Sequence, residues 1–271
     1  MMVSPQAYYR WKVRQNRLPD YGHLKLLEQV RQIASQSHFT YGSRRICAAL
    51  GQSGISVGRC RTITLMKQAG ISARYRKPYK VTTNSTHRNR TYPNLLAQNF
   101  KVSQINQVWV SDITYIRTAE GWLYLAVVID LYSRKIVGWA LSERINASLA
   151  CSALQQAIDL RRPGKGLIHH SDRGRQYASN AYRNLLEKYD ITGSMSGKGN
   201  CYDNAVAESF FATLKNERVW FRRYSSRVQA RMDIVDYISM YYNCKRLHST
   251  LGYLSPDRFE NRNINYMKIA A

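Results

Sequence analysis

The chain has 271 residues, enough for one substantial core and a smaller domain. Its 41 Lys and Arg against 17 Asp and Glu give a formal charge of +24, which suits phosphate backbones and leaves a ribosomal or membrane-surface protein as the bland alternative. Five scattered cysteines without a Cys-x-x-Cys pair argue against a zinc module, no apolar run approaches the roughly 20 residues of a membrane span, and a start lacking signal-peptide character points to a reducing cytosol.

The charge is unevenly spread: residues 1–104 hold 18 of the basic residues and only 2 acids. From Asp20, a plausible cap, Leu24, Leu27, Val30, Ile33 and Ala34 mark the apolar stripe of a helix. A second helix fits Ser43 to Leu50, stopped by Gly51, and a third fits Val57 to Ala69, capped by Ser56 and stopped by Gly70. Three short helices with tight turns suggest a helix-turn-helix domain over residues 1–71, with Arg59 and Arg61 placed to meet base edges. Any small three-helix domain would read similarly. Residues 72–104 read as a basic linker in which Arg74, Arg76, Lys77 and Lys80 interleave with tyrosines, suited either to tracking DNA or to simple solvation.

From Gln107 the period changes to that of strands. Val108, Val110, Asp112 and Thr114 point one way; Trp109, Ser111, Ile113 and Tyr115 point the other. Glu120-Gly121 forms a hairpin turn, Trp122 to Leu131 an apolar central strand, and Ile136 to Leu141 a third. A helix over Ala147–Leu160 follows, then a strand over Gly166–His170, a helix over Ala178–Tyr189, a short strand at Ile191-Thr192, and helices over Asn204–Val219 and Ser226–Tyr242. This pattern alone gives an α/β domain with a mixed sheet.

Three acids stand out: Asp112 within the first strand, Asp172 just after the fourth and Glu208 on the helix from Asn204. Singly, each has an ordinary reading: an edge-strand charge, a turn residue, a solvated helix face. Together, three carboxylates repel unless divalent metal neutralises them, and hard oxygen ligands suit Mg²⁺ or Mn²⁺. Two such ions about 4 Å apart can activate an attacking oxygen and stabilise a leaving one at a phosphodiester. Lys215, seven residues after Glu208, shares its helical face and can hold a phosphate. His170 beside Asp172 is read as packing or hydrogen-bonding rather than ligating, and Asp130 as a turn former.

The acids and their flanking segments, Val127–Trp139, His169–Tyr177, Gly197–Glu208 and Tyr241–Pro256, resemble the second-reading-frame product of the IS-three family of insertion-sequence transposases, which share an Asp, Asp, Glu signature with retroviral integrases. The resemblance implies a ribonuclease-H-like, five-stranded mixed sheet with flanking helices over residues 105–220, a C-terminal helix and tail over 221–271, and a preceding all-α helix-turn-helix domain. It further implies catalysis and metal binding by Asp112, Asp172 and Glu208 with two Mg²⁺ (or Mn²⁺) ions per active site. Expected partners are the terminal inverted repeats and target, both double-stranded DNA, bound as a homo-oligomer in the bacterial cytoplasm. The His-His-Cys-Cys module of retroviral integrases is not matched. Arg246 and His248 can reach DNA or pack the helix, and the sequence does not separate these. An upstream reading-frame product carrying a leucine zipper is a possible partner, since no sustained heptad run appears here. Rival readings are a nuclease of the same fold without strand transfer and an accessory or repressor protein that only binds DNA.

Overall fold

The computed structural model describes residues 4–15, 20–74, 91–96, 102–197 and 204–269. It divides into two compact units, Met1–Arg74 and Tyr75–Ala271.

In the first unit the helices are α1 (Pro5–Gln15), α2 (Tyr21–Gln36), α3 (Ser43–Gln52) and α4 (Arg59–Gln68). The first carries no apolar stripe, since its Tyr8, Tyr9 and Trp11 are exposed, and lies in the N-terminal helical segment whose bounds sequence patterning leaves unset. Asp20 does cap α2, its Oδ1 accepting from Gly22 N–H at 3.1 Å. Val30, Ala34, Ile46, Leu50 and Leu65 are fully buried and form the shared core. Helix α4 starts two residues later than expected. Gly58, not Ser56, is its N-cap, because Val57 stays outside the helix with its carbonyl accepting from Cys47 Sγ at 3.1 Å. Gly51 does not stop α3; the chain reverses at Gly54, which takes the left-handed φ of +78° that glycine tolerates.

The second unit is built on a five-stranded sheet in the order β3-β2-β1-β4-β5. These strands are β1 (Val108–Thr118), β2 (Gly121–Asp130), β3 (Ile136–Ser142), β4 (Ile168–Ser171) and β5 (Thr192–Met195). The first three form an antiparallel meander; β4 runs parallel to β1, and β5 parallel to β4. Helices α5 (Ala147–Arg161) and α6 (Asn180–Lys188) connect the later strands, and α7 (Ala205–Glu217) follows β5. This is the ribonuclease-H-like order. Helix α8 (Arg227–Asp236) passes into a wider π-type turn over Tyr237–Tyr242, where one continuous helix was expected. The tail forms α9 (Pro256–Ile269).

Strand β5 lies later than Ile191-Thr192 because its residues, Thr-Gly-Ser-Met, carry no apolar alternation. Small residues are needed there. A Cβ on Gly193 would stand 2.7 Å from the Tyr92 ring, and Ser194 Oγ receives Leu95 N–H at 3.0 Å.

The core lies between the sheet and α5 and α6, centred on Trp109, Val128, Val137, Leu154 and Tyr182. Helix α5 presents Ala150, Ala153 and Ala157 to the sheet, so its backbone comes very close to β3. A Cβ on Gly138 would meet Ala153 O at 2.2 Å and Ala157 Cβ at 2.7 Å. The opposing atom is backbone and cannot rotate away. Gly138→Ala is therefore expected to push α5 off the sheet and cost about 3 kcal/mol or more. Denaturant unfolding of the two proteins checks this; equal midpoints would contradict the packing.

Candidate active site

Strand β4 is short, and pairs with β1 only from Val108 to Ser111. Asp112 is the next residue of β1, and Asp172 is the next residue after β4. Two strands running parallel and in register thus deliver their acids to the same end of the sheet. Asp112 Oδ1 accepts from Ile113 N–H at 2.7 Å, and Asp172 Oδ1 from Gly174 N–H at 2.9 Å. A Cβ at this glycine would lie 2.9 Å from that carboxylate oxygen and 2.7 Å from Gln176 Nε2, so a larger residue would displace the Asp172 and Gln176 side chains. Helix α7 packs on β1 and begins at the same place, with Asn204 Nδ2 donating to Ser111 O at 3.2 Å. Glu208 occupies the first turn of α7, where the helix dipole favours a negative charge.

The acids act on one another. Burial first, and then the charges of Asp172 and Glu208, raise the Asp112 carboxyl well above its ordinary value. Burial and Asp172 raise Glu208. Lys215 joins them: its Nζ lies 4.8 Å from the centre of the Tyr115 ring, burial lowers its pKa, and the Asp112 charge opposes that. Among the described residues no group of three His, Cys, Asp or Glu side chains is drawn close enough to hold a metal ion as it stands. The three carboxylates therefore share one electrostatic neighbourhood without closing on a common point.

Two polar atoms beside them are buried without a partner among the described residues, the Tyr177 hydroxyl and Asn204 Oδ1. Neither was singled out by sequence, because a tyrosine five residues past an aspartate carries no recognised spacing. Also missed was a buried chain in which His169 Nε2 meets Ser111 Oγ at 2.7 Å and Tyr182 OH at 2.9 Å. Burial and His170 push His169 down to about 3, so it is neutral. His170 is likewise internal, bonded to Ser194 Oγ at 2.9 Å and Ser196 Oγ at 3.2 Å.

Asp130 is fully buried and forms the turn between β2 and β3. Its oxygens accept from the N–H groups of Asn106, Tyr132 and Ser133 at 2.7 to 3.0 Å. Arg246 does not face solvent; of the two readings open for it, DNA contact or helix packing, the structure shows packing. It is buried and grips Glu217 with two nitrogens, Nη2 to Oε1 at 2.8 Å and Nε to Oε2 at 2.9 Å. Tyr237 OH donates to the same carboxylate at 2.8 Å, and His248 packs edge-on to Tyr242. A buried guanidinium needs such a carboxylate to offset its desolvation. Arg59 and Arg61 are exposed on the first turn of α4, and Arg74 is exposed with its guanidinium 5.5 Å from the Phe39 ring centre. Arg76, Lys77 and Lys80 lie outside the described residues.

Comparison with known proteins accounts for both units. Residues 23–79 match the family model for an HTH-like domain, while residues 102–201 and 208–264 each match one for an integrase core domain. An uncharacterised 31 kDa protein of insertion element IS600 from Shigella sonnei is 43% identical over 99% of this chain and 98% of its own. Transposase InsF for insertion sequence IS3A from Escherichia coli is 39% identical over 97% of this chain and 92% of its own. The chain belongs to the IS-three family of insertion-sequence transposases. Among solved structures, the HTLV-2 integrase catalytic core domain in complex with magnesium covers 58% of the transposase at 17% identity and a TM-score of 0.43, with 97% of that domain covered. The two integrase-core matches take in Asp112 and Asp172 on one side and Glu208 with the Arg246 segment on the other. No helix among the described residues is long and apolar enough to cross a membrane.

Two predictions follow from the transposase's electrostatics. Because the folded protein raises the Asp112 pKa, the unfolded chain ionises first as pH rises, and the fold loses stability through that window. Below the ordinary carboxylate range both states are protonated and nothing is lost. Asp112→Asn should thus raise Tm by a few degrees at neutral pH without divalent ions, and the gap should close by about pH 3.9, the ordinary aspartate value. Melting curves across pH 3–8 test it; no gap at neutral pH would contradict the repulsion. Arg246→Ala should cost about 3–5 kcal/mol by stranding Glu217, and Arg246→Lys should restore only part of it. Urea unfolding measures both.

Proposed function

We propose that this transposase cleaves DNA at the terminal inverted repeats of its insertion sequence to free a 3′-hydroxyl, and joins that hydroxyl to another phosphodiester. The observation that carries the reading is electrostatic. Three carboxylates from β1, the end of β4 and the start of α7 destabilise one another's charged forms, with the Lys215 ammonium beside them. A pure binding protein gains nothing from such a cluster, which costs stability.

The residues present fit a pair of divalent ions. Every donor is a hard carboxylate oxygen, the donors repel until a cation joins them, and two buried polar atoms beside them have no partner among the described residues. In this reading Asp112, Asp172 and Glu208 hold two Mg²⁺ or Mn²⁺ ions. The chemistry these supply when bound is neutralisation of the acids and polarisation of the attacking and leaving oxygens. The protein's own part is positional. The Asp172 turn is locked by the Gly174 N–H, and Glu208 is carried by a helix whose far end is pinned through Glu217. Lys215 directs its charge to a phosphate next to the acids. Water and a DNA 3′-hydroxyl then serve as alternative nucleophiles at one site, with no covalent protein–DNA intermediate.

DNA recognition falls to the basic N-terminal unit. Arg59 and Arg61 on α4 are offered to base edges, while Arg74, Arg76, Lys77 and Lys80 follow the backbone. Pairing two element ends calls for at least a dimer on DNA, and the upstream reading-frame product is a candidate partner. Such an enzyme works in the bacterial cytoplasm.

Asp172→Asn is expected to abolish both cleavage and joining, by at least a hundredfold, while leaving affinity for repeat-end DNA within twofold. Gel-shift binding and strand-transfer assays on intact and pre-cleaved ends measure the two properties separately. Joining that survives in this variant would overturn the assignment, and a wild-type protein that cleaves but never joins pre-cleaved ends would mark a nuclease instead.

A further inference from the structure

Tyr177 lies in the turn that follows Asp172. Its N–H donates to Gly174 O at 3.0 Å, and Gly174 N–H is the donor that fixes the Asp172 carboxylate. The side chain is 1% exposed, and its ring packs edge-on against Tyr182 with centres 5.3 Å apart. Tyr182 in turn holds His169, which holds Ser111, the residue before Asp112. Apolar and aromatic packing thus places the ring firmly.

The hydroxyl, however, bonds to nothing among the described residues. A buried hydroxyl without a partner costs about 1–3 kcal/mol. Phenylalanine would fill this place in the core without that cost. The hydroxyl is close enough to Asp112 and Asp172 for both to act on it: burial, then Tyr182, then these two acids disfavour its ionisation, so it remains a donor. Carboxylates are the strongest acceptors a phenol can meet.

We propose that the Tyr177 hydroxyl is a positioning donor for the acid site, forming its hydrogen bond to the Asp112–Asp172 pair when a divalent ion draws those carboxylates together. This rests on the reading of the acids as cation ligands. The bond fixes the rotation of a carboxylate, and so which oxygen faces the ion. It also uses a polar atom that has no partner among the described residues.

The test is the Tm of the full chain as a function of MgCl₂ concentration, for wild type, Tyr177→Phe and Asp172→Asn. Asp172→Asn gives the background of non-specific salt stabilisation. Without Mg²⁺, Tyr177→Phe should melt at or slightly above the wild-type temperature, because only an unbonded group has been removed. Its midpoint for Mg²⁺-induced stabilisation should rise about tenfold, the scale of one hydrogen bond to a charged group. Equal midpoints in wild type and Tyr177→Phe overturn the proposal while leaving the acid-site reading intact. A lower melting temperature for Tyr177→Phe that is the same with and without Mg²⁺ also overturns it, by showing a purely structural role. A wild-type Mg²⁺ response no larger than that of Asp172→Asn overturns the acid-site reading and this proposal with it.

Discussion

Mutual repulsion among Asp112, Asp172 and Glu208 is the constraint around which the larger unit is arranged. Carboxylates on a flexible chain would separate; here each is held by an element that cannot easily yield. Asp112 belongs to a strand paired along its length with β2, and Asp172 is tied to the backbone of its own turn. Glu208 rides on a helix that buries Ala207, Phe210, Phe211 and Leu214. The energy needed to hold like charges together comes from apolar packing some distance away, which is why the large aromatic and aliphatic residues lie behind the site.

The C-terminal segment extends that logic. Helix α7 carries Glu208 near its start and Glu217 at its end, and Glu217 is bound by Arg246 and Tyr237. Arg218 continues the clamp through ion pairs to Asp233 and Asp236 on α8. Farther along, Glu260 of α9 meets Arg161 of α5 at 2.5 Å and Lys135 at 3.4 Å. The charged residues of these segments are spent internally. A buried ion pair of this kind stabilises little beyond an apolar alternative. Its geometric specificity fixes where α7 ends and so the angle at which Glu208 meets the strands.

The strand meander and the helix at Ala147 were legible because they follow from local rules, alternation for β1 and a continuous apolar run for β2 among them, while the three acids were singled out through flanking segments that resemble a family. The elements that escaped were those whose stability comes from tertiary contact. Strand β5 is made of Thr, Gly, Ser and Met, and exists because β4 pairs with it and Tyr92 covers its glycine. The α4 boundary turned on a thiol reaching the Val57 carbonyl, which no spacing encodes. Arg246 and an exposed arginine look alike in sequence; only Glu217, twenty-nine residues away and buried, distinguishes them. The Tyr177 hydroxyl is invisible for the same reason, since only the fold shows it buried without a partner among the described residues.

Charge balance links the acid site to its proposed substrate. Asp112, Asp172, Glu208 and Lys215 form a group that carries two net negative charges when all are ionised, in a setting whose burial disfavours that state. One divalent ion would balance it. Two ions would leave it positive by the same amount, and an anionic phosphodiester, with its one negative charge, would then be attracted and offset half of that. On this account the strongly basic N-terminal unit need not sit at the chemistry. It supplies the salt-dependent, largely sequence-independent attraction that brings DNA to the protein, while the core keeps a pocket that becomes attractive to phosphate only once cations are loaded. If Arg59, Arg61 and the basic segment bind DNA as proposed, separating the two functions in this way restrains a cleaving enzyme, because that binding does not by itself commit the DNA to reaction.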